Sequence, residues 1–350
     1  MQKHSILIKL TILIIVYVVF PLGTTSYAAI SDAKISNPIY SENNDSVYLK
    51  FINNDNLNID ATTPKLFVSF PDGAEREVVV DTGSTGLVIS ASAIPNASKL
   101  SPRPGKITYN SSGRIMIGSW LNTTVTIGDG DKYISTNIIP VLAVNEIQCL
   151  ALARNCKPEL NPEHVSMMGI GFDRESSLQS ESTPNTNPLL NTNSGSNNGY
   201  KLTRNGIYVG INKDIAEGFS FIKLQPSKEN KHEWIAPPAC IKITGWQGYQ
   251  CGTVLIDTGV KSMFLTIPNY TLNGGQLPNG TTLDIKLADG IEYEIKIGGH
   301  KRNTSPKEIF LNTTRQHIFV NTGFNFLNGY DILYDYENGY FGYKENISLP

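Results

Sequence analysis

Short runs of alternating apolar and polar residues, closed off by Gly, Pro, Asn and Asp, recur along the chain at the period of strands. Residues 66–70, the turn Pro71-Asp72-Gly73 and residues 77–80 predict one hairpin. Residues 283–287, the turn Asp289-Gly290 and residues 293–297 predict another. Further strands are predicted at 124–127, 138–144, 206–211, 220–224, 254–256 and 331–334, and no long amphipathic helix breaks the pattern. Residues 175–198 are crowded with Ser, Asn, Thr and Pro and read as an exposed loop or linker, which puts a lobe boundary near 195–205. The mixed charges of 225–233 read as a solvated loop, and the tyrosines at 330, 334, 336, 340 and 343 as sheet-stabilising pairs.

At 350 residues the chain is long for one domain and comfortable for two of roughly 100–200 residues each. Apolar residues at 40% supply a sizeable core and exclude wholesale disorder. The 29 basic against 31 acidic side chains leave a net charge of -2, without the basic excess of a nucleic-acid-binding surface. Residues 1–29 read as an export signal. Lys3, His4 and Lys9 precede an apolar run from Leu10 to Phe20, Pro21 and Gly23 break it, and small residues close at Ala28 and Ala29. The run is short of the ~20 residues a spanning helix needs, so no stable membrane span is expected after cleavage. In an oxidising periplasmic or extracellular compartment, local disulfides Cys149–Cys156 and Cys240–Cys251 are the simplest pairing of the four cysteines, although four allow three connectivities. Zinc is disfavoured, because neither pair has tight ligand spacing or a nearby His cluster.

The strongest signal is a duplication. Residues 78–89 read Val-Val-Val-Asp-Thr-Gly-Ser-Thr-Gly-Leu-Val-Ile, and residues 254–265 read Val-Leu-Ile-Asp-Thr-Gly-Val-Lys-Ser-Met-Phe-Leu. A single Asp-Thr-Gly is an ordinary turn; one copy per half on matching apolar flanks is not. Each apolar strand delivers a carboxylate to the edge of a core, the Thr hydroxyl enters a network below the loop, and Gly allows close backbone approach. If the halves pack about a pseudo-twofold axis, Asp81 and Asp257 face one another. Carboxylates about 3 Å apart share a proton, as in the dyad that serves as the standard worked example of this coupling. One then acts as general base on a water while the protonated partner donates to a substrate carbonyl, with no metal, cofactor or covalent intermediate.

At these residues the chain resembles the pepsin-like aspartic peptidases, in the form of a divergent, bacterial-type member. Beyond the two triplets, Ile107-Thr108-Tyr109 with residues 110–113 is similar to the flap and its substrate-covering Tyr. Residues 123–128 are similar to the strand after the flap, and residues 167–171 to the segment behind the first catalytic loop. Residues 322–327 and 331–343 are similar to the C-terminal segment. The resemblance implies an all-β bilobal fold with an active-site cleft between related lobes. The implied organisation is a signal peptide at 1–29, an N-terminal extension with first strands at 30–63, an N-terminal lobe with flap at 64–200 and a C-terminal lobe at 201–350. It further implies an exported endopeptidase with catalytic Asp81 and Asp257, supporting residues Thr82, Gly83, Ser84, Thr258 and Gly259, and Tyr109 over substrate. The substrate is a polypeptide bound extended, and a monomer is expected. Departures are Val260 where Ser84 has its counterpart, leaving Asp257 without a hydroxyl unless Ser262 reaches in, and Asn321-Thr322 where an apolar pair is usual. Val88 stands where many members carry a flap-contacting Trp, with Trp120 the candidate substitute. The alternative is a pepsin-fold binding protein or pseudo-enzyme; a β-sandwich adhesin explains the composition but not the paired motif.

Overall fold

The structure, a computed structural model, describes residues 37–42, 45–53, 63–151, 153, 156–174, 179, 181–193, 197–270, 277–288, 291–298, 304–306, 308–313 and 315–346. The expected export signal, the Asp289-Gly290 turn and part of 175–198 lie outside the described residues.

The sequence alternation becomes three β-sheets. The first takes Tyr133–Ser135, Thr126–Gly128, Lys65–Ser69, Arg76–Asp81, Ser166–Ile170, Thr85–Ser90, Ile139–Cys149, Arg114–Thr123 and Arg103–Tyr109 in that spatial order. The second takes Ile291–Lys296, Thr282–Ala288, Pro238–Ile243, Gln250–Leu255, Ile318–Asn321, Met263–Thr266 and Ile309–Asn312. Read side by side, these orders match strand for strand over seven positions. The sense of each pairing also matches, including the parallel pairs Arg76–Asp81 with Ser166–Ile170 and Gln250–Leu255 with Ile318–Asn321. The first sheet then adds a hairpin, Arg103–Tyr109 with Arg114–Thr123, that has no counterpart among the described residues of the second.

Burial explains why these segments are strands. Lys65–Ser69 and Arg76–Asp81 alternate, burying Leu66, Val68, Val78 and Val80 on one face. Thr85–Ser90 lies between two strands and is buried throughout, so it reads as a continuous apolar run rather than an alternation.

A third sheet joins Val47–Lys50, Gly206–Ile211, Asn197–Leu202, Tyr330–Asp335, Tyr340–Glu345 and Ser220–Lys223. The boundary expected at 195–205 therefore runs through a strand of this sheet, and the two matching sheets fall on either side of it. Its core is aromatic: Phe172 stacks on Tyr334 at 4.1 Å, and the Tyr200 hydroxyl donates to the Ile170 carbonyl at 2.7 Å. Both contacts fasten the chain just beyond the Ser166–Ile170 strand to this sheet.

Several boundaries moved. The strand expected at 124–127 divides at Val125, whose N–H bonds the Thr136 hydroxyl, and the one at 138–144 continues to Cys149 because it pairs along the flap strand. Residues 175–198 are not an exposed linker where described: Gln179, Ser182, Thr186, Asn187, Leu189 and Leu190 are buried. Their polar groups are spent on the backbone of the first Asp-Thr-Gly loop and its neighbours, which composition does not reveal. Glu233, expected in a solvated loop, is also buried. Both local disulfides are formed, Cys240–Cys251 between register partners of adjacent strands.

Candidate active site

The two Asp-Thr-Gly loops meet where the matching sheets abut, held by a reciprocal network. The Thr82 N–H donates to the Thr258 hydroxyl at 3.0 Å and the Thr258 N–H to the Thr82 hydroxyl at 2.9 Å. Each hydroxyl then donates across the interface, Thr258 Oγ1 to the Val80 carbonyl at 2.6 Å and Thr82 Oγ1 to the Ile256 carbonyl. All four groups are buried, so these bonds replace water and lock the loops to one another.

The glycines make room for the opposite carboxylate. A Cβ on Gly83 would lie 2.6 Å from Asp257 Oδ1, and one on Gly259 would lie 2.4 Å from Asp81 Oδ1. That same point on Gly259 is 3.3 Å from Asp257 Oδ1, which caps the separation of the two carboxyl oxygens at the sum of those distances. Asp81 and Asp257 are each 5% exposed and in mutual hydrogen-bonding reach.

Their supports differ. Asp81 accepts from the Gly83 N–H at 2.7 Å and the Ser84 hydroxyl at 2.5 Å. Asp257 accepts from the Gly259 N–H at 2.9 Å and, on its outer oxygen, from the Asn321 amide at 2.6 Å. Neither Val260 nor Ser262 takes that place. Asn321, seen in the sequence only as a departure, ends the Ile318–Asn321 strand beside Leu255. Its own Oδ1 accepts the Gly323 N–H at 3.1 Å, which aims the amide nitrogen at Asp257.

Burial raises the pKa of both carboxyls, and each acts on the other. The negative charge of Asp257 and the hydrogen bond between the pair push Asp81 further up; the same bond, Asn321, the Gly259 N–H and the charge of Arg174 favour ionised Asp257. These influences favour the proton on Asp81 and the negative charge on Asp257. Arg174 enters the site from behind. It is 7% exposed, its Nε donates to the Phe172 carbonyl at 2.9 Å, and it lines the cleft.

The cleft, about 760 Å³, is roofed by the Arg103–Tyr109 and Arg114–Thr123 hairpin. The Tyr109 hydroxyl is buried, has no hydrogen-bond partner among the described residues, and feels the charge of Asp81. Trp120 does not bond it. That ring lies in the hairpin base against Gly105, where a Cβ would come 2.3 Å from Trp120 Cδ1, so Trp120 is a core aromatic. The hairpin tip is held by the Cys149–Cys156 loop: the Leu150 N–H donates to the Gly113 carbonyl at 2.8 Å.

Gln179 and the buried part of 181–193 brace the first loop and its neighbours. Gln179 Nε2 donates to the Gly83 carbonyl at 3.1 Å, the Ser182 hydroxyl to Thr85 at 3.2 Å, and Asn187 to the Ile170 carbonyl at 2.8 Å. Neither Gln179 nor Arg174 stands out in the sequence. Buried polar residues between two turn-rich stretches leave no periodic signal to find them by.

Two copies of one sheet order, with the loops meeting at their interface under a hairpin, define the pepsin-like fold in a divergent form. The crystal structure of aspartic proteinase from Irpex lacteus superposes with a TM-score of 0.56 at 13% identity, over 86% of this chain and 98% of that one. No relative matches among curated proteins. Residues 53–339 match the family described as PE-PGRS C-terminal aspartyl peptidase-like domain, and the chain belongs to that family.

Proposed function

We propose that the protein is an exported aspartic endopeptidase. The observation that carries this is the buried pair Asp81 and Asp257, brought together by the reciprocal loop network and asymmetric in its supports. In the proposed reaction, ionised Asp257 takes a proton from a water held between the carboxyls, and the hydroxide attacks the scissile carbonyl carbon. Asp81 gives its proton to the carbonyl oxygen, forming a neutral gem-diol. Collapse reverses the roles. Asp257 protonates the leaving nitrogen as the C–N bond breaks, and Asp81 recovers a proton from the diol. Water is consumed, and an acid and an amine leave.

Tyr109 closes over the substrate, its unpartnered hydroxyl available to a substrate polar group. The polypeptide binds extended along the cleft to a monomeric enzyme. The pattern at 1–29 and two disulfides, which persist in oxidising compartments, support export. Among the described residues no helix is long and apolar enough to cross a membrane. The hydroxyl missing at Val260 speaks for a non-catalytic protein, and Asn321 supplies that donor from another strand.

The test is digestion of an unbiased peptide library by the mature protein, with and without a statine-type transition-state mimic, beside Asp81→Asn and Asp257→Asn. Cleavage that the mimic blocks and either variant abolishes is the expected result. Full activity in either single variant removes the mechanism, and no cleavage by the wild type removes the activity.

A further inference from the structure

The ionisable groups that line the cleft are segregated by sign. Among the described residues no carboxylate besides Asp81 and Asp257 lines it, whereas Arg114, Arg174, Arg315 and the His164 imidazole do, in a chain of net charge -2. Two of these groups have acidic neighbours outside the cleft. His164 faces Glu159 at 3.6 Å, and Arg174 is balanced first by Asp173. Arg114 and Arg315 form no ion pair with any described residue.

Those two stand on different walls. Arg114 opens the Arg114–Thr123 flap strand and is half-buried. Arg315 follows the Ile309–Asn312 strand of the other lobe, is exposed, and has its backbone N–H held by Asn312 Oδ1 at 3.3 Å. Between them the cleft is apolar on the second-lobe side, where Phe264 and Phe310 stack at 5.2 Å. Outside the Asp81–Asp257 pair, the lining charges that form no ion pair with a described residue are both positive, and such a wall concentrates field lines and favours an anionic occupant.

We propose that the cleft selects polypeptide segments with acidic side chains flanking an apolar one, read by Arg114 on the flap wall and Arg315 on the opposite wall. This substrate class rests on the peptidase reading for turnover but not for binding. An exposed ion pair is worth a factor of roughly 1.5–5 in affinity, so the two arginines together give about ten-fold. The preference is electrostatic and fades as salt shortens the screening length from about 10 Å at 0.1 M to about 3 Å at 1 M.

The experiment uses two peptides with the same apolar centre, one flanked by Glu and its counterpart flanked by Gln. Affinity is measured by fluorescence anisotropy on the full mature chain carrying Asp257→Asn, and kcat/KM on the catalytically intact chain. The Glu peptide is expected to bind about ten-fold tighter at low salt, with the ratio near one at 1 M salt. Arg114→Gln with Arg315→Gln abolishes the ratio, the corresponding Lys pair keeps it, and Arg315→Glu lowers it. Because the ratio compares two peptides on one variant, partial loss of folded protein cancels; should the double variant not fold, the exposed Arg315→Gln alone carries part of the effect. Equal binding of the two peptides, or a ratio untouched by Arg114→Gln with Arg315→Gln, overturns the proposal. Cleavage without charge preference refutes it while leaving the peptidase intact. Preferential Glu-peptide binding with no turnover refutes the peptidase while leaving it standing.

Discussion

Asn321→Leu removes the amide that faces the outer oxygen of Asp257 while keeping a side chain of similar size. The lost bond, 2.6 Å long and made to a buried carboxylate, is of the charge-assisted kind. A hydrogen bond to a charged group contributes about 1.5–3 kcal/mol, which at 1.36 kcal/mol per pKa unit raises the Asp257 pKa by about 1–2 units. Asp257 already sits above its ordinary value because it is buried, and Asn321 is the largest of the influences holding it down. The base of the proposed mechanism must be ionised, so the acid limb of the kcat/KM profile moves to higher pH by the same about 1–2 units. Stability follows with a defined sign. The variant loses about 1.5–3 kcal/mol above both folded pKa values, and the difference shrinks as falling pH protonates Asp257 in both proteins. The assays are a quenched-fluorescence peptide pH series and urea midpoints across the same range. Pseudo-symmetry adds a rescue: Ser84 donates to Asp81 from the position that Val260 occupies after Asp257. Val260→Ser in the Asn321→Leu background is expected to bring the acid limb back toward acid. An acid limb unmoved by Asn321→Leu in folded protein refutes the assignment; a shift that Val260→Ser leaves in place refutes the symmetry argument.

Three further outcomes are expected. Glu233 is pushed up to about 7 by burial, with its Oε2 unpartnered; its neutral form stabilises the fold below pH 4.5, and that contribution fades as pH rises through 7. Glu233→Gln should therefore match wild type in acid and exceed it by up to about 3 kcal/mol above pH 8 in urea unfolding. Gly83→Ala drives a methyl to within 2.6 Å of Asp257 Oδ1, which costs about 1–3 kcal/mol in melting experiments and separates the pair enough to abolish turnover. Cys149→Ser with Cys156→Ser opens a loop with a sequence separation of 7, costing about 2–3 kcal/mol, and frees the hairpin tip so that KM rises more than kcat falls.

The parts of the fold legible in the sequence were those in which one face of a strand is buried and a tight turn follows. Residues 66–80 are the clear case: Leu66, Val68, Val78 and Val80 alternate, and the turn closes with the Gly73 N–H on the Phe70 carbonyl at 2.9 Å. The strand Ile318–Asn321 gives no comparable cue, because it is too short for a period and is defined by neighbours far away in sequence. At the buried stretch 181–193 composition misleads for a related reason. Ser, Thr and Asn are turn formers in isolation, and here their side chains satisfy the carbonyls of Thr85, Ile170 and Thr183. Whether such groups face water or a backbone is decided by the rest of the chain.

The site divides along the same line. Asp81, Asp257 and the threonines were legible because the motif is written twice, and repetition distinguishes a site from a turn. The donors that set their chemistry were legible only where they are adjacent in sequence, as Ser84 is to Asp81. On the second loop the donor lies 64 residues away, on a strand threaded between Gln250–Leu255 and Met263–Thr266. A substitution pattern confined to the motif therefore reports Val260 as a loss, when the carboxylate has exchanged a neighbouring hydroxyl for a distant amide. The two halves preserve the requirement, one donor on each outer oxygen, while the residue that meets it has changed strand. Val260→Ser in an Asn321→Leu background tests that statement directly, since it asks the second loop to meet the requirement in the manner of the first.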